Sequence, residues 1–208
     1  MQKISGEAPP PTIPQEYRWI KQPWQTAEVT STRRAWIIAN ANVAVNLIQK
    51  SLRPVLVVGN AVAEVEFEGK KLIDYVIELA RETNVPVIAT SHVVGEFLKR
   101  NYKPAAVMSL MEVGNRLVDR EWNGVGGDGP YDMVLFIGLP YYMSYEILSA
   151  LKNFATKLVT VNLDNAYNPQ ASWSLPNVSV KEWVNFITGI TSKLKEVKQG
   201  VHVPRHTS

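Results

Sequence analysis

An α/β fold, a doubly wound parallel sheet between two layers of helices, is what this sequence predicts. Two observations carry that expectation. Predominantly apolar runs of four or five residues recur between turn signals, at residues 55–58, 85–89, 133–137 and 158–161, as strands buried on both faces do. Stretches with apolar residues at helical spacing separate them, and strands joined through helices imply right-handed crossovers into a parallel sheet.

Residues 122–138, WNGVGGDGPYDMVLFIG, anchor the reading. Four glycines and Pro130 make a turn-rich approach, Asp132 opens the apolar run 133–137, and Gly138 closes it. Residues 141–154 follow with helical spacing, so strand, glycine turn and helix come in sequence.

The other elements fall around this unit. Residues 1–28 are rich in proline, which a regular helix does not tolerate. They nevertheless hold Tyr17, Trp19, Ile20 and Trp24. Such rings either anchor a protein interface or fold back over their own domain. Thr30, Ser31 and Thr32 are N-cap candidates for a first helix reaching residue 49, with Trp36, Val43 and Leu47 on its apolar face beside Ile37, Ala44 and Ile48. Pro54 forbids its continuation, and the strand 55–58 ends at Gly59. A helix over 70–83 carries Leu72, Ile73, Val76, Ile77 and Ala80 on one face. The strand 85–89 ends at Thr90, Ser91 and His92. Two short helices follow, one around Phe97 and Leu98 and one over 108–118, whose Met108 and Met111 read as core filler. After the fourth strand, residues 165–176 read as loop, with a short edge strand near 171–175. The capping pair Ser179 and Glu182 opens the last helix, where Trp183, Ile187, Ile190 and Leu194 share a face. The domain spans 29–196, a three-layer Rossmann-like sandwich, and 197–208 form a basic tail.

Composition excludes several functions. The chain has no cysteine, which removes disulfides, thiolate nucleophiles and iron–sulfur clusters held by its own thiolates. His92, His202 and His206 have no paired ligand spacing, so an internal zinc or iron site is not expected. The net charge is +3, and residues 191–208 account for all of it, with Lys193, Lys195, Lys198 and Arg205 against Glu196. The folded body is therefore near neutral and lacks the basic stripe of a nucleic-acid binder. No apolar run approaches the roughly 20 residues of a membrane span. Nothing in the first residues resembles a secretion signal, so the expected location is the cytoplasm.

In a doubly wound sheet a ligand lies beyond the carboxyl ends of the strands, where the strand order reverses. The candidate cofactor-binding residues are therefore Gly59, Asn60, Thr90, Ser91, Gly138 and Tyr141. Amides after Gly138, where a helix begins, are positioned for a phosphate or a flavin pyrophosphate, and Tyr141 or Tyr142 for stacking on a ring. The signal is not specific: the P-loop GxxxxGK[ST] is absent, no GxGxxG follows a strand, and the match at residues 124–129 comes before the run 133–137. No catalytic residue emerges. Ser91 beside His92 has no GxSxG elbow, and Asp128 and Asp132 flank a glycine turn, where turn or capping roles are commoner.

The segments RPVLVVG (53–59), VPVIAT (85–90), WNGVGGDGPYDMVLFIG (122–138), Tyr141-Tyr142 and LKNF (151–154), in this order, resemble the epsilon subunit of the archaeal carbon monoxide dehydrogenase/acetyl-CoA decarbonylase/synthase complex. The resemblance covers about residues 32–191 and leaves the proline-rich arm and the basic tail unmatched. It implies a fold like the flavin- and NAD-binding domain of thiamine-diphosphate enzymes. It also implies a noncatalytic accessory subunit, joined to a nickel–iron–sulfur alpha subunit in an α2ε2 assembly that interconverts CO and CO2. The alternative it leaves open is an FAD- or NAD-binding electron-transfer module in that complex. All metal clusters would sit in the partner. Trp19, Trp24 and the loop 122–130 are the interface candidates.

Overall fold

The computed structural model of the protein describes residues 34–198. Trp19, Trp24, the Thr30–Thr32 cap candidates and the tail beyond residue 198 lie outside the described residues. Seven strands form one sheet: β1 (Trp36–Ile37), β2 (Pro54–Val58), β5 (Val87–Ala89), β6 (Ala106–Val107), β7 (Met133–Ile137), β8 (Val159–Asn162) and β9 (Trp173–Ser174). Their order is β1-β9-β8-β7-β2-β5-β6 and every pairing is parallel. A two-stranded hairpin, β3 (Glu66–Phe67) with β4 (Lys70–Lys71), stands apart.

Helices α1 (Ala41–Lys50), α3 (Leu72–Thr83) and α7 (Val180–Lys198) cover one face; α5 (Leu110–Val118) and α6 (Tyr141–Phe154) cover the other. The short α2 (Ala61–Glu64) and α4 (Val94–Lys99) add Val62 and Phe97 to the first face. The period of two along a strand sorts the apolar run of β7 between the layers. Met133, Leu135 and Ile137 enter the core under α1, α3 and α7, while Val134 and Phe136 enter the core under α5 and α6. None of the five is more than 3 % exposed. At about 1.5–3 kcal/mol for each fully buried large apolar side chain, this strand is a principal source of stability. The three-layer, doubly wound fold is therefore the one the periodicity predicts.

Four expectations need correction. The first helix does not reach back toward residue 30: it starts at Ala41 and is capped by Asn40, whose Oδ1 accepts from the Val43 amide at 3.3 Å. Trp36, expected on its apolar face, lies in β1 and is 46 % exposed. The run Trp36-Ile37-Ile38 is β-branched and aromatic, which suits a pleated edge, and Trp36 meets Trp173 with ring centroids 6.1 Å apart. The strand expected near 171–175 exists as β9, but β1 pairs outside it and forms the sheet edge. Helix α3 begins at Leu72, because Lys70 and Lys71 belong to the hairpin. Glu68 (φ 53°) and Gly69 (φ 75°) turn it, the positive pair that a tight two-residue turn requires. Met111 is also misplaced by the sequence reading: it is 55 % exposed and fills no core.

Candidate functional site

The switch in strand order lies between β2 and β7. The chain leaves β2 through α2 and α3 on one face toward β5, and leaves β7 through α6 on the other face toward β8. Gly59 and Gly138 each follow the last residue of these neighbouring strands, so four of the candidate residues, Gly59, Asn60, Gly138 and Tyr141, gather here. Thr90 and Ser91 lie at the end of the adjacent β5, where the Thr90 amide donates to the Val58 carbonyl at 2.9 Å. Ser91 and His92 are exposed.

The crevice is filled by the chain itself. The Gly59 amide donates to the Ile137 carbonyl at 2.8 Å, and the Ala61 amide to the Gly138 carbonyl at 3.0 Å. A Cβ on Gly59 would collide with the Gly138 carbonyl and lie 2.6 Å from Leu139 Cδ2. Gly138 has φ +74°, and a Cβ there would collide with Val62 Cγ1 and lie 3.0 Å from the Gly59 oxygen. Only paired glycines allow the two main chains to touch in this way.

The amides proposed for a phosphate already have an acceptor. Asp164, two residues beyond β8 and 8 % exposed, takes the Gly138 amide on Oδ1 and the Leu139 amide on Oδ2, the latter at 3.4 Å. Burial pushes its carboxyl up to about 7, against the lowering effect of those two amides. Sequence alone gives Asp164 no such role, because nothing local links it to a turn 26 residues earlier.

The remaining candidates have ordinary contacts. Asn60 Nδ2 donates to Glu64 Oε1 at 2.8 Å within the first turn of α2. Tyr141 is 45 % exposed and lies 6.2 Å from the Tyr145 ring; Tyr142 is 68 % exposed. Asp132 has the structural role expected of it. It accepts from the Ser51 hydroxyl, from the Leu52 amide at 2.7 Å and from the Arg53 amide at 2.9 Å, tying the α1–β2 loop to the start of β7.

The loop 122–130 lies at the opposite, amino edge of the sheet. Trp122 packs edge-on against Tyr131 at 5.5 Å, with the Arg116 guanidinium 5.9 Å from its ring. The Arg53 guanidinium reaches the Asp128 carbonyl. A groove of about 760 Å³ runs beneath, lined by Arg53, Thr83, Asn84, Val125, Tyr131 and Lys198 among others. This groove is thus at the end of the sheet away from the switch. Among the described residues no cluster of His, Asp or Glu is placed to hold a metal ion, and no helix is long and apolar enough to cross a membrane.

Residues 18–191 match the family described as CO dehydrogenase beta subunit/acetyl-CoA synthase epsilon subunit. The acetyl-CoA decarbonylase/synthase complex subunit epsilon of Methanothermobacter thermautotrophicus is 29 % identical over 169 residues, covering 79 % of this chain and 91 % of the relative. Subunit epsilon 1 of Archaeoglobus fulgidus is 34 % identical over 155 residues, 74 % of this chain and 80 % of the relative. Subunit epsilon 1 of Methanosarcina barkeri is 32 % identical over 140 residues, 67 % and 78 %.

Proposed function

We propose that this chain, which belongs to the CO dehydrogenase beta subunit/acetyl-CoA synthase epsilon subunit family, is a noncatalytic epsilon subunit that docks on and stabilises a nickel–iron–sulfur alpha subunit in an α2ε2 assembly. That alpha subunit interconverts CO and CO2 within an acetyl-CoA decarbonylase/synthase complex. The observation that carries the reading is the family match over residues 18–191 in a chain with no cysteine. Iron–sulfur chemistry needs thiolates in nearly every known site, so a subunit of this kind leaves the clusters to its partner. The chemistry of the described residues supports the same division. No nucleophile, base and orienting group converge at the switch point, and the polar groups there satisfy one another. We propose further that no flavin or nicotinamide is held firmly by this chain.

The test is reconstitution with a CO dehydrogenase alpha subunit. Gel filtration is expected to show a stable complex with equal numbers of the two chains, with nickel and iron following the alpha subunit. The alpha subunit's half-life of CO oxidation on warming is expected to lengthen when this chain is present. Failure of the two chains to co-elute at any salt would remove the reading.

A further inference from the structure

In doubly wound folds a dinucleotide's diphosphate is received at the switch point, by main-chain amides at the start of a helix. The chain has both parts, a glycine turn after β7 and the start of α6 at Tyr141. What a diphosphate also requires is free amides, room above the strand ends and a source of positive charge. Among the described residues each is missing in a specific way.

The amides of Gly138 and Leu139 both point at the Asp164 carboxyl. The room is taken by the crossing of Gly59 and Gly138, with Val62 on one side and Leu139, 7 % exposed, on the other. Added charge would fare poorly as well. Asp164 already suffers from burial, and among the described residues no lysine or arginine acts on its carboxyl to offset that. A second or third negative charge in the same place would meet a larger desolvation cost.

We infer that Asp164 is an internal ligand, its carboxyl group standing on the Gly138 and Leu139 amides where a dinucleotide-binding relative of this fold would seat a phosphate. The switch point is consequently sealed, and dinucleotides do not bind at Gly59 and Gly138. A vacated site would accept a small carboxylate rather than a nucleotide, since only the volume of one carboxymethyl group is released. This inference concerns the isolated chain and does not depend on partner docking, which gel filtration reads separately.

The test has two arms. In the first, FAD and then ADP are titrated into the full-length wild-type chain at pH 8 while the Gly138 and Leu139 amide resonances are followed by nitrogen–proton correlation spectroscopy. Both are expected to stay in place; movement of both with either ligand overturns the inference. In the second, Asp164→Gly is warmed in sodium formate and in sodium chloride of equal ionic strength. Formate at ten times its Kd is expected to raise the melting temperature of the variant by about 4 °C and leave the wild type unmoved. A folded variant that does not distinguish formate from chloride overturns it too. If the variant does not fold, the wild-type titration decides alone.

Discussion

Replacing Gly59 by alanine is the sharpest probe of the packing at the switch point. The new methyl would be driven into the Gly138 carbonyl, with Leu139 Cδ2 at 2.6 Å and the Gly138 carbonyl carbon at 2.7 Å. The obstacle is mainly main chain in the middle of a parallel sheet, so no rotamer change removes it. Over-packing of this kind costs about 1–3 kcal/mol. Relief requires the ends of β2 and β7 to part, which stretches the Gly59–Ile137 and Ala61–Gly138 hydrogen bonds, each worth about 1 kcal/mol. Together the loss is about 3–5 kcal/mol, or a melting temperature lowered by about 10–15 °C in a chain of this length. Gly95→Ala is the matched control. Gly95 lies in α4 with nothing within 4 Å of its added Cβ, so it is expected to gain about 0.5–1 kcal/mol. Urea unfolding followed by circular dichroism gives both values. A Gly59→Ala chain within 1 kcal/mol of wild type would refute the account of a closed crevice.

Three further outcomes are expected. The carboxyl of Asp164 is raised by burial from 3.8 to about 7, so between those values the folded chain binds more protons than the unfolded one and stability falls as pH rises. The full effect is about 4 kcal/mol at most, of which about 3 kcal/mol falls between pH 5 and pH 8; urea unfolding at those two pH values is expected to show this difference in the wild type and to lose it in Asp164→Asn. At Asp132 burial acts upward, but the Ser51 hydroxyl and the Leu52 and Arg53 amides outweigh it and hold the carboxyl below 3.8. Its stabilising effect is thus complete above 3.8 and lost as pH falls below it, and Asp132→Ala is expected to cost about 2 kcal/mol at pH 7, with a shallower acid limb by calorimetry. Trp122→Ala removes ring contacts to Tyr131 and Arg116 and is expected to cost the isolated chain about 1–2 kcal/mol. Loss of alpha-subunit binding by this variant therefore counts for docking only if thermal unfolding finds the free chain folded at the assay temperature.

The layers and the central strands were legible because their signal is local. The apolar run 133–137 is buried along its whole length, and the Ser179–Glu182 capping box is formed with hydrogen bonds in both directions. The edge was not legible. Trp36 and Ile37 sit five residues from helical spacing that continues their pattern, and only pairing with β9, more than 130 residues away, makes them a strand. The same holds for the site. Gly59 and Gly138 could be read as turn residues at strand ends, but their mutual contact depends on β2 and β7 being neighbours. Asp164 was still less accessible, since its meaning comes from an amide pair in another loop.

That contact also explains why the fold keeps a buried acid at all. The Gly138 and Leu139 amides begin no helical hydrogen bonds of their own, and water has little access between Val62, Leu139 and the glycine pair. Left unpaired, each buried amide would cost about 1–3 kcal/mol. A bound phosphate meets that need in a nucleotide-binding sheet; without one, the protein must supply an acceptor from its own chain. The end of β8 is the neighbouring strand end on that side, and a carboxyl group is the side chain that can accept from two adjacent amides at once. The raised proton affinity of Asp164 is the cost of that arrangement.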